Sequence, residues 1–366
     1  MNPVLHIEPL QNWIPVVKRP LIISGPCGAE TREQLLKTAA ELAELNAVHV
    51  FRAGIWKPRT RPNSFEGAGR AGLKWLREVK EKYGYLTAVE VANAKHVEQA
   101  LKEGVDILWI GARTTGNPFS VQEIADVLRG SGVAVMVKNP IHPDLQLWIG
   151  ALERVNQAGI NRIIAVHRGF YTHVPQIYRN PPHWEIPIEL KTYFPDIPII
   201  CDPSHICGNR ELLPEISQKA LDLNFDGLML EAHFDPDRAL SDSQQQLKPK
   251  DLGHLLSNLV VRSSDCKSTE FTGTLSLLRK KVDQVDEEII HSLAQRMELI
   301  DKIGDYKKEN NLTVLQLERW LEILRTRSAF ASSKSVDSEF IQKIFQLIHK
   351  ESIRRQTLLM QEGVEK

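Results

Sequence analysis

Cys27 stands between Pro26 and Gly28 in the stretch SGPCGAE, directly after the apolar run 21–24. Such a thiol is either a buried core group or a metal ligand, and free cysteine packs as a small hydrophobe more often than it ligates. Partners for ligation lie far along the chain: His205 in CDPSH, Glu231 in GLMLEA and Asp242 in LSDSQQQL. Thiol, imidazole and two carboxylates form a mixed donor set suited to a divalent transition metal such as Mn, Fe or Zn. Five cations occupy similar surroundings: Arg52, Lys57, Arg113, Lys138 and Arg168. Arginine pairs bidentately with carboxylate and phosphate, and lysine adds a point charge, so their convergence predicts a ligand with several negative charges. Arg59 and Thr60 in KPRT offer a second anion site close by.

Residues so far apart in sequence need a scaffold that gathers them. Eight short runs rich in Val and Ile, at 21–24, 48–53, 86–91, 106–111, 133–138, 162–168, 198–203 and 227–232, alternate with amphipathic helical patterns. Continuous apolar strands alternating with helices mean a parallel sheet covered by helices, and eight units of this length predict an α/β fold, a closed (β/α)8 TIM barrel. A doubly wound open sheet is the alternative. A barrel places its chemistry just after the strands. Here every run ends in or precedes a polar residue: Cys27, Arg52, Glu90, Arg113, Lys138, His167 with Arg168, Asp202 with His205, and Glu231.

The 366 residues suit a large domain plus a small one. Lys and Arg number 46 and so do Asp and Glu, which excludes the basic excess expected of a nucleic-acid binder. No run is long and apolar enough for a membrane span, and the N-terminus lacks a signal-peptide pattern, so a cytoplasmic enzyme is expected. The four cysteines, Cys27, Cys201, Cys207 and Cys266, lack the density and spacing of a disulfide framework.

The barrel is expected over 1–262 and a polar linker over 263–273. From 274 to 366 only helical periodicity remains, with Leu278, Val282, Val285, Ile289 and Leu293 at three- and four-residue steps. Three helices are predicted near 275–308, 313–330 and 337–360. The first is too long to be covered by two shorter helices of the same chain, which predicts a small all-α domain that dimerises. At 100° per residue Arg296 and Lys307 point within about 20° of each other and Arg279 is rotated by about 100°, so Arg279 is expected to serve a partner's pocket. Ser352 and Gln356 share a face.

The motifs SGPCGAE, FRAGIWKPRTRPNSFEGAG, IGARTT, VKNP, HRGF, CDPSH and LEAHFDPDRALSDSQQQL resemble, in order, the type I 3-deoxy-D-arabino-heptulosonate 7-phosphate (DAHP) synthases, in the subgroup related to the octulosonate synthases. The resemblance implies that Cys27, His205, Glu231 and Asp242 bind one divalent metal, Mn foremost, with Fe, Co, Zn or Cd also suited. It implies that Arg52, Lys57, Ala112, Arg113, Lys138 and Arg168 hold phosphoenolpyruvate, that Arg59 and Thr60 hold erythrose 4-phosphate, and that Lys138 and His205 are catalytic. Octulosonate synthases carry an Asn-containing KANRS type of segment at KPRT, so this chain favours the four-carbon sugar. Only about twenty residues precede the first strand, so regulation by the N-terminal ferredoxin-like domain of some members is not expected.

The tail, LRKKVDQVDEEIIHSLAQRMELIDKIGDYKK with ERW and FQLIHKESIRRQ, is similar to the all-helical AroQ-class chorismate mutases. This resemblance implies chorismate or prephenate binding by Arg279, Arg296, Lys307, Gln316, Arg319, Ser352 and Gln356, with Arg296, Lys307 and Gln356 catalytic and no cofactor. Gln316 stands where some members carry Asp, and Trp320 where many carry Glu. A tail that only senses prephenate or chorismate is the alternative. Inhibition of the barrel by prephenate and a plain fusion for co-expression are weighted equally.

Overall fold

The computed structural model describes residues 4–14, 20–57, 65–174, 176–263 and 269–361. The chain divides into two compact units, Met1–Ser264 and Asp265–Lys366.

In the first unit the strands β1 (Leu21–Gly25), β2 (Val50–Ala53), β3 (Leu86–Val91), β4 (Ile107–Ile110), β5 (Ala134–Lys138), β6 (Ile163–His167), β7 (Ile199–Cys201) and β8 (Gly227–Glu231) pair in chain order. All pairs are parallel, and β8 closes on β1 with Gly25 opposite Glu231. Helices such as Arg32–Glu44, Arg70–Tyr83 and Leu145–Gln157 run between the strands and cover them. The predicted barrel is therefore the fold, and the open sheet is excluded by the β1–β8 pairing.

Successive strand residues face opposite sides of a sheet. Leu21, Ile23, Val50, Ala88, Ile107, Trp109, Met136, Ile164, Val166, Ile200 and Met229 share one buried cluster with Leu10 and Ile14 of the N-terminal segment. Their neighbours Ile22, Phe51, Val89, Leu108, Val135, Ala165 and Leu228 belong to the larger cluster shared with the helices. The first set fills the lumen. Two residues further along six of the strands, the same parity selects Arg52, Glu90, Lys138, Arg168, Asp202 and Glu231, while on β1 and β4 it falls on Gly25 and Gly111, so one alternation builds an apolar floor and a charged mouth. His167 has the opposite parity to Arg168. It is fully buried, and its ring lies 5.8, 5.3 and 6.1 Å from those of Phe170, Trp184 and Phe225.

The second unit holds three helices, Thr269–Glu309, Leu317–Ser333 and Ser338–Gln361. The first begins inside the stretch 263–273 expected as linker. That expectation rested on polar composition, yet 269–273 contains no proline to break a helix, and its one glycine lowers helix propensity without forbidding the conformation. At 1.5 Å per residue the first helix is about 60 Å long. Leu278, Val282, Val285 and Ile289 on it are 52–57% exposed, an apolar stripe that the other two helices of this unit do not cover. Among the described residues no helix is long and apolar enough to cross a membrane.

Candidate functional site

At the barrel mouth, Arg52 and Lys138 converge above the lumen residue Trp109, with the Arg52 Cζ 4.8 Å and the Lys138 Nζ 5.8 Å from the indole centroid. Cations over an indole face gain from its quadrupole, which partly offsets their loss of water. Lys138 is 5% exposed and donates to Asp202 Oδ2 at 2.7 Å. Asp202 caps the short helix Pro203–Cys207 by accepting from the His205 amide, and its Oδ1 lies 3.0 Å from His205 Nδ1. Burial raises the Asp202 pKa, but His205 and Lys138 more than offset this and hold the carboxyl well below its usual range. Burial, the largest effect, also pushes the His205 pKa down, against the opposing charge of Asp202. With Nδ1 engaged by a carboxylate, Nε2 faces the mouth 3.9 Å from Glu231 Oε1, the arrangement in which a histidine is oriented to ligate a metal.

Glu231 is fully buried. Its Oε2 accepts from Gln245 Nε2 at 2.8 Å, and its Oε1 lies 3.1 Å from Arg52 Nη2. That contact lacks hydrogen-bond geometry, so Glu231 Oε1 and Arg52 Nε and Nη1 have no hydrogen-bond partner among the described residues. Native buried polar atoms are nearly always partnered, and a cluster of open ones in a barrel mouth marks where a ligand's polar groups are received.

Cys27 reaches the same mouth on the loop after β1. A Cβ on Gly54 would lie 2.1 Å from the Cys27 carbonyl oxygen, so only glycine allows the two loops to approach this closely. The Cys27 amide donates to Gln246 Oε1 at 2.9 Å, its thiol donates to Asp242 Oδ2 at 3.1 Å, and its Sγ accepts from Lys57 Nζ at 2.8 Å. Burial, then the Glu231 charge, pushes the thiol up to about 12. Burial lowers the Lys57 pKa, but Cys27 and Glu231 raise it more, so the lysine stays charged.

The four expected metal ligands are thus brought together as two pairs, Cys27 with Asp242 and His205 with Glu231. Among the described residues they do not form one group of three or more His, Cys, Asp or Glu arranged around a common point. The ammonium of Lys57 hydrogen-bonds the Cys27 sulfur, and the guanidinium of Arg52 is ion-paired with the Glu231 carboxylate without a hydrogen bond to its Oε1. The donor types nevertheless suit a metal, and Glu231 Oε1 is an open acceptor.

Arg168 lies in the mouth with its amide tied to Asn139 Oδ1 at 2.7 Å. Burial lowers its pKa, Asp202 opposes, and Arg179 and Arg113 push the same way as burial, leaving it at about 10. Arg168 thus stands among other cations at the mouth, a setting that suits an anion. Ala112 and Arg113 open the short helix Ala112–Thr115 after β4, where Arg113 is exposed. Arg59 and Thr60 lie outside the described residues.

Sequence reasoning missed Arg179, Gln245 and Gln246. Arg179 Nη1 donates to Asp242 Oδ1 and to Gln245 Oε1, each at 2.9 Å, while Gln245 holds Glu231. Gly208 ends the His205 helix with φ 72°, and a Cβ there would lie 2.7 Å from Arg179 Cβ. One arginine therefore touches the supports of three expected ligands. For a metal held by these residues, Arg179→Gln weakens metal binding about tenfold. Metal titration of the metal-free protein checks this, alongside an unchanged melting temperature.

In the helical unit, Arg296 Nη1 donates to Ser352 Oγ at 2.8 Å, and Ser352 Oγ donates to the Ile348 carbonyl at 2.7 Å. Lys307 is 7% exposed, and its Nζ donates to the Val314 carbonyl at 2.6 Å. Gln356 is buried; its Nε2 donates to the Ser352 carbonyl at 3.3 Å, and its Oε1 has no partner among the described residues. Burial lowers the pKa of Arg296 and Lys307. The structure does not bring the other expected residues into this group: Arg279 and Gln316 are exposed, and Arg319 pairs with Glu322 at 2.6 Å in its own helix.

A parallel barrel with cations, carboxylates and a thiol at its C-terminal mouth belongs to the class of barrel enzymes that handle anionic substrates. The DAHP synthetase I family model matches residues 16–267, and the chain belongs to that family. Residues 278–357 match the model of chorismate mutase type II. A phospho-2-dehydro-3-deoxyheptonate aldolase of Thermotoga maritima is 34% identical over 226 residues, covering 62% of this chain and 64% of that protein. A 2-dehydro-3-deoxyphosphooctonate aldolase of Geotalea daltonii is 28% identical over 263 residues, covering 66% of this chain and 92% of that protein. The crystal structure of the Thermotoga maritima DAHP synthase superimposes with TM-score 0.59 and 32% identity, covering 65% of this chain and 67% of that one.

Proposed function

We propose that residues 1–262 condense phosphoenolpyruvate with erythrose 4-phosphate to DAHP and phosphate, and that residues 274–366 rearrange chorismate to prephenate. The observation that carries the first reading is the single lumen parity that gathers Arg52, Lys138, Arg168 and Glu231 at one mouth. Arg52, Lys57, Lys138, Arg168 and Arg113, with the backbone at Ala112, hold the phosphate and carboxylate of phosphoenolpyruvate. Arg59 and Thr60 hold the phosphate of the sugar. Cys27, His205, Glu231 and Asp242 hold one divalent metal, Mn foremost, which when bound supplies Lewis acidity toward the aldehyde oxygen. The C3 carbon of phosphoenolpyruvate bonds to the aldehyde carbon, water adds at C2, and phosphate leaves. Lys138 and His205, both held by Asp202, are placed to move protons. The charged mouth stabilises the developing charges without reorganising.

In the tail, Arg296, Lys307, Ser352 and Gln356 of one chain form the chorismate pocket, completed by Arg279 of a second chain, by Arg319 once it turns from Glu322, and by Gln316 at the edge. The uncovered stripe at Leu278, Val282, Val285 and Ile289 is the surface of that homodimer. The rearrangement needs no metal or nucleophile, only a folded dianion and hydrogen bonds to its ether oxygen, which Lys307 and Gln356 supply. Assaying both reactions in one purified sample, with and without a chelator, tests the whole reading. The chelator removes only the condensation. A sample that does not condense erythrose 4-phosphate, or that never turns chorismate over, sinks the corresponding half.

Prephenate is expected to slow the condensation in the intact chain and to have no effect on a chain ending near Ser264. An effector acts at a distance only through differential affinity for two arrangements of the protein. Inhibition that survives loss of the tail places the effector elsewhere.

A further inference from the structure

We propose that His349 is a substrate-binding residue of the helical unit, its Nε2 taking the ring hydroxyl of chorismate. The proposal rests on the chorismate rearrangement proposed above. His349 Nε2 is buried and has no hydrogen-bond partner among the described residues. A buried polar atom left open is destabilising, so one retained beside a candidate site calls for a ligand. His349 precedes Ser352 by three residues and Gln356 by seven, which puts all three on one face of the helix Ser338–Gln361. Gln356 Oε1 on that face is also open. The imidazole is fixed by Trp320, which stacks on it at 4.0 Å with 7° between the planes. Burial first, then the charges of Arg296 and Lys307, lower the pKa of His349, so the ring is neutral and both cations stand close by.

The chemistry of the substrate selects the partner. Chorismate has two carboxylates, an ether oxygen and one ring hydroxyl. The cations match the carboxylates, Lys307 and Gln356 match the ether, and the hydroxyl remains. A hydroxyl both donates and accepts, so a neutral imidazole serves it in either tautomer. Trp320 offers no acceptor, and Gln316 is exposed at the start of its helix.

The test compares chorismate with its analogue lacking the ring hydroxyl, in the full-length parent, in His349→Phe and in His349→Gln. Phenylalanine keeps the stack on Trp320 and removes Nε2, and glutamine restores a polar group. Parent kcat/KM should favour chorismate about tenfold, as one hydrogen bond of about 1.4 kcal/mol provides. His349→Phe should lose that preference by slowing chorismate alone, and His349→Gln should recover part of it. A parent that treats both substrates alike overturns the proposal even if neither variant folds. So does a His349→Phe chain that loses as much on the analogue as on chorismate. A parent that rearranges neither substrate overturns the mutase reading itself, and this proposal with it.

Discussion

Replacing Cys27 by alanine lowers the condensation rate by roughly a thousandfold or more and leaves chorismate rearrangement within about twofold of the parent. The first figure corresponds to several kcal/mol, the scale of Lewis-acid stabilisation lost with a metal. The second follows from the division of the chain, since Cys27 lies in Met1–Ser264 and every expected mutase residue in Asp265–Lys366. The substitution removes the sulfur that donates to Asp242 and accepts from Lys57, but keeps the backbone contacts to Gln246 Oε1 and Lys57 Nζ. The loop should therefore hold its course. Metal content per barrel, measured beside both rates, separates a lost ligand from a lost fold. A variant that retains its metal and full condensation activity removes Cys27 from the ligand set.

Lys307→Ala should lower the mutase kcat by roughly a hundred- to a thousandfold, the loss typical of removing one preorganised donor from a developing negative charge. Its ammonium is buried and anchored on the Val314 carbonyl, so the charge is already positioned before substrate arrives. Condensation should not change. Arg279→Ala and Arg296→Ala chains, each weak alone, should regain part of the activity when mixed, because one pocket in the mixed dimer keeps both arginines. Proven mixed dimers that stay inactive would show that each pocket draws on a single chain.

Much of this was legible in the residues. The eight apolar runs fall on the eight strands, β3 at 86–91 without any shift, because fully buried parallel strands are written as unbroken hydrophobic sequence. Strand parity separates His167 from Arg168, a distinction lost when both are read as one polar strand end. Arg179 escaped notice because it lies on an irregular loop, eleven residues past Arg168, where no period predicts direction. The helix start at Thr269 was obscured by polar residues that are compatible with both linker and helix. Pairing of the donors as Cys27–Asp242 and His205–Glu231 depends on where Lys57 and Arg52 settle, which no spacing encodes.

If a second chain completes the mutase pocket as proposed, the uncovered stripe on the first tail helix makes protein concentration a variable of the chemistry. A pocket completed by a second chain obeys mass action: dilution below the dimer's dissociation constant separates its halves. The barrel's described cations, carboxylates and thiol come from one chain, and its reaction is expected to lack this dependence. The two rates of a single polypeptide would then part company on dilution, the rearrangement fading while the condensation persists, so that a cell's stock of this protein sets the ratio of its activities as well as their sum.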